Sequence, residues 1–208
     1  MKTGRATPMA PDARRQAIVE AVIPLLVSHG AAVTTRQIAE AAGVAEGTIF
    51  RVFPDKCALM HAVARETMDP SSGRQALDGI DPSLDLRDTV REVAVYLLAR
   101  MEKVIAVMTA VHGALVVPER TGAAQPPQVA PPAFIVDANR AMLEYLTQIF
   151  ERHRDELAVS PERAALILRS LVLGSRHPGM GHAHTLTAEE IATVLVSGVT
   201  RAGGGPGC

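Results

Sequence analysis

The sequence predicts an all-α protein, with a small three-helix N-terminal domain of helix-turn-helix type followed by a larger helical domain. Three observations lead to this prediction. Apolar residues recur at three- and four-residue spacing along most of the 208 residues, which is the period of an amphipathic helix. No segment alternates apolar and polar residues as a half-buried strand does. Clusters of glycine and proline interrupt the helical pattern and predict where helices end.

The composition excludes several classes of protein. Hydrophobic residues make up 48% of the chain and charged residues 21%, which excludes a disordered protein. No apolar run approaches the ~18 residues of a membrane-spanning helix, and the N-terminus lacks the apolar core of a secretory signal. We therefore expect a soluble, cytoplasmic protein. Cys57 and Cys208 lie far apart in the chain, so neither a disulfide framework nor a cysteine zinc site is expected.

The charge distribution is nearly even. The formal net charge is −1, and residues 1–60 carry seven Lys and Arg against five Asp and Glu. This small excess of positive charge is well short of a polybasic arm. Any recognition of nucleic acid must therefore come from geometry rather than from the bulk electrostatic field.

The helical pattern predicts the order of the elements. Residues 1–10 and 202–208 are predicted to be disordered tails, 11–68 one domain with a linking fourth helix from Asp55, and 69–201 a second domain. Residues 69–84 and 116–132 are predicted to be loops because they are rich in Asp, Pro, Ser and Gly or contain five prolines. The predicted helices span 11–29, 34–42, 46–52, 55–68, 85–115 with a break near Glu102, 133–157, 161–174 and 188–201.

Residues 34–56 have the residue types of a helix-turn-helix at the required spacing. Ala39 is small where the two helices would touch, and Gly43, four residues on, can take the positive-φ corner of the turn. Ile49 would anchor the second helix inward, which leaves polar residues on its outer face. The second helix of the domain is predicted to begin with a capping box, Thr34 to Gln37.

The stretch from about Arg15 to Leu59 resembles the DNA-binding domain of the TetR family of bacterial transcriptional regulators. The matching segments are a first helix ending in His-Gly, then TRQIAEAAGV, GTIF and FPDK. Two residues depart from the family pattern. Phe50 replaces the usual tyrosine and loses a hydroxyl that could reach a phosphate, and Pro24, which should bend the first helix or cause a local defect, is uncommon there.

The resemblance implies a set of contacts with double-stranded DNA. Thr35 and Lys56 would bind phosphate groups, the first at a helix N-terminus. Glu46, Thr48 and Arg51 would read base edges in the major groove. The full set of implied DNA-binding residues is Thr35, Arg36, Glu46, Gly47, Thr48, Phe50, Arg51 and Lys56.

A homodimer is expected, because one helix-turn-helix offers few base contacts and two copies about 34–36 Å apart can occupy successive turns of DNA. The segments 161–174 and 188–201 are apolar on more than one face. Such helices must be covered on both sides. Pairing them with their copies in a four-helix interface, as the resemblance implies, would do this; the alternative is an ordinary intrachain core.

The middle helices are expected to enclose a pocket for an apolar small-molecule effector. Methionines adapt to varied apolar ligands, and a few polar side chains would orient them. Each candidate could instead be plain core. The candidate pocket residues are Met101, Met108, His112, Met142, Tyr145 and Leu146.

The sequence thus predicts a ligand-responsive regulator, a repressor that binds a palindromic operator and is released by its effector. No catalytic motif is present in the sequence, and neither an enzyme nor a cofactor is expected. The alternative is a helical small-molecule-processing or metal-binding protein whose helix pair is only structural. His177, His182 and His184 share one loop, but no acidic or cysteine partner is adjacent, so a metal site is not expected.

Overall fold

The computed structural model describes residues 10–115, 131–176 and 185–200. Over these ranges the chain forms α-helices and one 3-10 turn, and its strand-like pairing is a single antiparallel bridge between Leu157 and Thr200. The predicted all-α class is confirmed. None of the helices so described has the length and apolar character to cross a membrane. They are α1 (Pro11–His29), α2 (Thr35–Ala41), α3 (Glu46–Val52), α4 (Lys56–Thr67), α5 (Pro70–Asp78), α6 (Leu86–Leu115), α7 (Ala133–Glu151), α8 (Pro161–Arg176) and α9 (Ala188–Val199).

The chain divides into two compact units, with boundaries after Met68 and after Glu102. The first unit contains α1 to α4 and the C-terminal half of α6. The second contains α5, the N-terminal half of α6, and α7 to α9. The long helix α6 therefore contributes to both cores.

In the first unit, α1 packs against α2, α3 and α4. Its inner face follows the three- and four-residue spacing that the sequence predicts. The helix continues through Pro24 to His29, and Pro24 is exposed, where water can hydrogen-bond the carbonyl that lacks a helical donor. The largest fully buried side chains of this unit are Ile18, Leu26, Ile38, Ile49, Phe53, Leu59 and Met60.

In the second unit, α7 packs against α5 and α8, and α8 packs against α9. A buried polar pair lies within this core. Thr89 Oγ1 lies 3.3 Å from His153 Nε2, and His153 Nδ1 lies 2.9 Å from Glu156 Oε1. Both ring nitrogens of His153 therefore have partners, as a buried imidazole requires, and α6 is joined to the turn that follows α7.

The prediction of a loop over residues 69–84 was wrong, because α5 occupies most of its first half. Asp69 caps this helix by accepting a hydrogen bond from the Ser71 N–H at 2.9 Å, and Pro70 takes the first helical position. Asp-Pro is a turn signal but also a favoured helix start. Burial of Gly73 and Leu77 supplies the packing that decides between the two.

Three predictions about α6, α7 and α8 also need correction. The break expected near Glu102 is not present, since α6 continues without interruption. Helix α7 ends at Glu151 rather than near Leu157, because residues 152–157 form turns with hydrogen bonds between residues three apart. Helix α8 extends to Arg176.

Helix α9 ends at Val199, before the predicted end at Arg201, because the chain turns extended there. Thr200 forms the antiparallel bridge with Leu157, and the Ala158 N–H donates to the Val199 carbonyl at 2.6 Å. This pairing also keeps Leu157 out of α7. The predicted tails and the histidines of the 177–184 loop lie outside the described residues, as does most of the predicted 116–132 loop.

The close approach at Gly73 gives a first testable prediction. A Cβ there would lie 2.7 Å from Met142 Cε and 2.9 Å from Tyr96 Oη. Met142 Cε is the end of a flexible side chain and can move, but Tyr96 is a rigid ring packed against the core. Overpacking against such a ring costs roughly 1–3 kcal/mol, against the ~1 kcal/mol that alanine gains over glycine in a helix. We expect Gly73→Ala to lower Tm by a few degrees in thermal denaturation. Gln75→Ala, exposed on the same helix, should change Tm little; equal Tm values for the two variants would contradict the packing.

Candidate functional site

The second helix of the N-terminal unit begins and ends as its sequence predicts. Thr34 Oγ1 accepts a hydrogen bond from the Gln37 N–H at 3.3 Å, and Gln37 Oε1 accepts from the Thr34 N–H at 2.9 Å. The predicted capping box is confirmed. After Ala41, Gly43 takes a φ of 64°, the left-handed conformation that favours glycine. The Val44 N–H donates to the Ala39 carbonyl at 3.0 Å and closes the turn.

Helix α3 has one buried and one exposed face. Ile49 is 2% exposed and packs among the buried residues of α1 and α2. This anchor turns the opposite side of the helix outward, where Glu46, Gly47 and Arg51 are exposed. Phe50 is 52% exposed, so its ring is open to contact by a partner.

The C-terminal end of α3 is held by a residue that sequence reasoning did not select. Arg15 Nη1 donates to the Val52 carbonyl at 3.3 Å, and its guanidinium lies 4.3 Å from the centroid of the Phe53 ring. Phe53 is fully buried. A cation at a helix C-terminus over an aromatic face is favourable on both counts, so Arg15 fixes the position of α3 on α1.

The two residues that the resemblance assigns to phosphate groups lie at the same end of α2. Lys56 Nζ donates to the carbonyl of Val33 at 3.3 Å, in the segment that leads into α2. Thr35 is half-buried and is the first residue of that helix. The ammonium group has two further donors and stands beside the N-terminus of α2, where backbone N–H groups also attract anions. Asp55 holds Lys56 in place by capping α4 through the Ala58 N–H at 2.7 Å.

Three exposed charged side chains of α2 and α3 are available to a partner. Arg36, Glu46 and Arg51 are exposed, and within the part of the chain that the structure describes none of the three forms an ion pair or a side-chain hydrogen bond. Thr48 is half-buried on the same helix as Glu46 and Arg51. Two arginines and a glutamate give little net charge, so the face is suited to directed hydrogen bonds rather than to bulk attraction.

The second unit contains a cavity of about 420 Å³ between α5 and α7. Met142 and Tyr145, two of the six predicted pocket residues, line it. The structure places the other four elsewhere: Leu146 is fully buried in the core, and Met101 packs half-buried against it. Met108 and His112 belong to the first unit, the first half-buried and the second exposed. The cavity is lined by Asp69, Pro70, Ser71, Arg74, Gln75, Asp78, Ala141, Met142 and Tyr145.

Sequence reasoning missed the α5 side of this cavity because residues 69–84 were predicted to be a loop. The hydroxyl of Tyr145 donates a hydrogen bond to Asp78 Oδ1. Burial and this hydrogen bond raise the pKa of Tyr145 to about 12, so the phenol stays protonated and continues to donate at neutral pH. Over the described ranges, no group of three His, Cys, Asp or Glu is arranged to hold a metal ion.

Comparison with known proteins agrees with this geometry. Residues 18–63 match the family model described as bacterial regulatory proteins, tetR family. No curated protein sequence matches this chain. Solved structures of the same fold include a TetR-family transcriptional regulator from Mesorhizobium loti, with a TM-score of 0.62 and 14% identity over 93% of this chain and 100% of that chain.

Two further structures agree. A TetR transcriptional regulator from Streptomyces coelicolor has a TM-score of 0.58 at 17% identity, covering 91% of this chain and 99% of its own. A TetR-family regulator from Agrobacterium tumefaciens has a TM-score of 0.59 at 16% identity, covering 92% of this chain and 100% of its own. Likeness at this level of identity shows the fold alone. Residues 18–63 are therefore similar to the bacterial regulatory proteins of the tetR family, and the chain as a whole shares the fold of these solved structures.

Proposed function

We propose that this DNA-binding transcriptional regulator represses by binding a palindromic operator as a homodimer, and that a small molecule bound to its second unit releases it. The observation that carries the proposal is the orientation of α3. Ile49 is buried and Arg51 is exposed without a partner among the described residues, so the outer face can enter a major groove while the helix stays attached to its core.

Each exposed residue of α3 has a role in this proposal. Arg51 and Thr48 read base edges by hydrogen bonding, and Glu46 can accept from the amino group of cytosine. Phe50 contacts a thymine methyl group or the sugar–phosphate backbone with its exposed ring. Gly47 has no atom within 4 Å of its Cβ position, so the bare backbone can approach the duplex closely.

Phosphate contacts set the register of the domain on the duplex. Lys56 and the N-terminus of α2 at Thr35 form one anchor, because the ammonium group already bonds to the segment entering that helix. Arg36, exposed in the first turn of α2, binds a neighbouring phosphate or a base edge. Such contacts are independent of sequence and orient the helix that reads the bases.

The dimer is supported by apolar side chains that remain exposed in the single chain. On α8, Leu166 and Leu173 are 42% and 45% exposed, and on α9 Val194 is 56% exposed. The opposite faces of both helices are buried in the second unit. Leu166, Ser170 and Leu173 recur at four- and three-residue spacing and so lie on one stripe. Covering this stripe with the same stripe of a second copy would form a symmetric interface.

Release by a ligand requires that the ligand bind the two states of the dimer with different affinity. The lining of the cavity between α5 and α7 begins directly after the helix-turn-helix unit in the sequence. Its first lining residue, Asp69, directly follows Met68, the C-cap of α4. A ligand in the cavity would therefore contact the segment of chain that joins α4 to α5.

Selection of bound sequences from a random DNA pool, followed by gel shift, tests the proposal. We expect an inverted repeat whose half-sites are one or more helical turns apart, about 34–36 Å or a multiple. Recovery of a single unrepeated site would contradict the dimeric mode. Failure to enrich any sequence would overturn sequence-specific DNA binding.

Gly47 allows DNA contact to be separated from folding. Gly47→Ala meets no neighbouring atom in the free protein and improves helix propensity by about 1 kcal/mol, so Tm should stay the same or rise. If the backbone of α3 approaches DNA at this point, the added methyl group should weaken operator binding by about tenfold or more, measured by fluorescence anisotropy. Unchanged affinity would place Gly47 away from the duplex.

A further inference from the structure

The cavity between α5 and α7 has one polar and one apolar wall. Ser71, Arg74 and Asp78 recur on α5 at three- and four-residue spacing and therefore share a face of that helix. The opposite wall consists of Ala141 and Met142 on α7. With a volume of about 420 Å³, the cavity lies within the range of small-molecule sites. A matching occupant has an apolar body and one polar end.

Arg74 is the positively charged group of this wall, and it is exposed. Its guanidinium lies 5.2 Å from the centroid of the Tyr145 ring, and within the described part of the chain it forms no ion pair or hydrogen bond. Tyr145 is 7% exposed and donates to Asp78. Burial and the hydrogen bond to Asp78 thus fix the Tyr145 ring. The guanidinium of Arg74, with five N–H donors, lies beside this ring.

The carboxylates that line the cavity are already engaged. Asp69 accepts from the Ser71 N–H at 2.9 Å and from the Ser71 hydroxyl at 2.6 Å, one bond to each carboxylate oxygen. Its backbone carbonyl also receives a hydrogen bond from Arg100 at 3.2 Å. Asp78 accepts from Tyr145 through Oδ1. Both acidic groups therefore have donors, whereas the cation has no acceptor.

The lining of the cavity carries two carboxylates, Asp69 and Asp78, and one guanidinium, Arg74, so an anion would be held there by direct contact with Arg74. Arg74 and Arg152 both act to lower the pKa of the Tyr145 phenol, against the effects of burial and Asp78. The effects of the two arginines are smaller than those of burial and Asp78, so the pKa of the phenol is raised on balance. An organic cation would have to displace Arg74 from the aromatic face and lie beside its charge.

We propose that the cavity binds a small organic carboxylate, with the carboxylate held by Arg74 and the apolar body lying against Ala141, Met142 and the edge of the Tyr145 ring. That this cavity is the effector site rests on the proposed function. Binding of the carboxylate itself can be measured without DNA. Bidentate Arg–carboxylate pairs are among the strongest charge-assisted hydrogen bonds. The class therefore covers aromatic and short aliphatic acids.

Isothermal titration calorimetry of the full chain with benzoate, benzamide and benzylamine tests the charge of the ligand at constant shape. We expect benzoate to bind about tenfold or more tightly than benzamide, and benzylamine to bind most weakly. If benzylamine binds most tightly, the cavity is a cation site and the proposal is overturned. Absence of binding by all three at millimolar concentration overturns it as well.

Variants locate the site. Arg74→Gln should remove the preference for benzoate over benzamide, and Asp78→Asn, which keeps an acceptor for Tyr145 and removes a negative charge, should strengthen benzoate binding. Arg140→Gln is the matched control, because Arg140 is exposed on α7 and pairs with Asp137 at 2.9 Å outside the cavity. Equal losses for Arg74→Gln and Arg140→Gln would overturn the assignment of Arg74.

A gel shift with and without benzoate separates the two proposals. If benzoate binds through Arg74 and weakens operator binding, both stand. If it binds through Arg74 and leaves operator binding unchanged, the carboxylate site stands and release by this ligand fails. If it weakens operator binding equally in the wild type and in Arg74→Gln, release stands and the site at Arg74 is overturned.

Discussion

Arg51→Ala is expected to lower operator affinity by about 100-fold. Arg51 is exposed on the outer face of α3 and has no partner among the described residues, so its loss should not disturb the fold. A bidentate arginine–guanine contact is worth roughly 1–3 kcal/mol of discrimination. A dimer loses that contact at both half-sites, which multiplies the two effects on the binding constant. Fluorescence anisotropy with the selected operator measures the change.

Base readers and phosphate contacts are distinguished by sequence and salt. Arg51→Ala should relax preference at one base position in each half-site, whereas Lys56→Ala should weaken all sequences alike and reduce the dependence of log K on log salt. Arg140→Ala, on an exposed part of α7, controls for loss of one positive charge. If Arg51→Ala and Lys56→Ala both leave affinity and salt dependence unchanged, the assigned interface is wrong.

The helix-turn-helix was predictable because its signals are local. A capping box needs only Thr34 and Gln37 at the right spacing, and Gly43 needs only to be where the chain requires a positive φ. The inward position of Ile49 follows from the helical period once the turn is placed. Each of these is decided within a few residues, so the sequence pattern predicts both the helices and the exposed face of α3.

Features that depend on contacts distant in sequence were not predictable in this way. Arg15 fixes the end of α3 through Val52 and Phe53, almost forty positions along the chain, and no spacing rule connects them. Helix α9 ends where Thr200 pairs with Leu157, and α7 ends at Glu151, before the turns that lead to that pair. Local periodicity predicts that a helix exists; tertiary contacts decide where it ends.

The cavity between α5 and α7 shows the same division. Met142 and Tyr145 were predictable as pocket residues because they are an adaptable and an amphipathic side chain on a middle helix. Arg74 and Asp78 were not, because the Asp, Pro, Ser and Gly of residues 69–84 are equally typical of a turn and of a capped helix. The polar wall of the cavity became evident only once α5 was seen to be folded.

Leu173→Glu is expected to convert the proposed dimer to a monomer. Leu173 is 45% exposed in the single chain and lies on the stripe of α8 that is proposed to cover its own copy. A symmetric interface would place two new carboxylates in one apolar contact, where unpaired buried charge is strongly unfavourable. Light scattering should then give a mass near 22.0 kDa instead of twice that value, and operator affinity should fall by about 100-fold or more, because each half-site is bound independently.

Val95→Glu is the control that makes this prediction specific. Val95 on α6 is 52% exposed, slightly more than Leu173, so exposure alone predicts the same effect for both. Val194→Glu on α9 should act like Leu173→Glu, because both helices are proposed to enter one four-helix interface. If Val95→Glu dissociates the dimer and Leu173→Glu does not, the interface lies on α6. If no variant changes the mass, the exposed stripes of α8 and α9 do not hold two copies together, and the apolar faces of these helices serve the intrachain core alone.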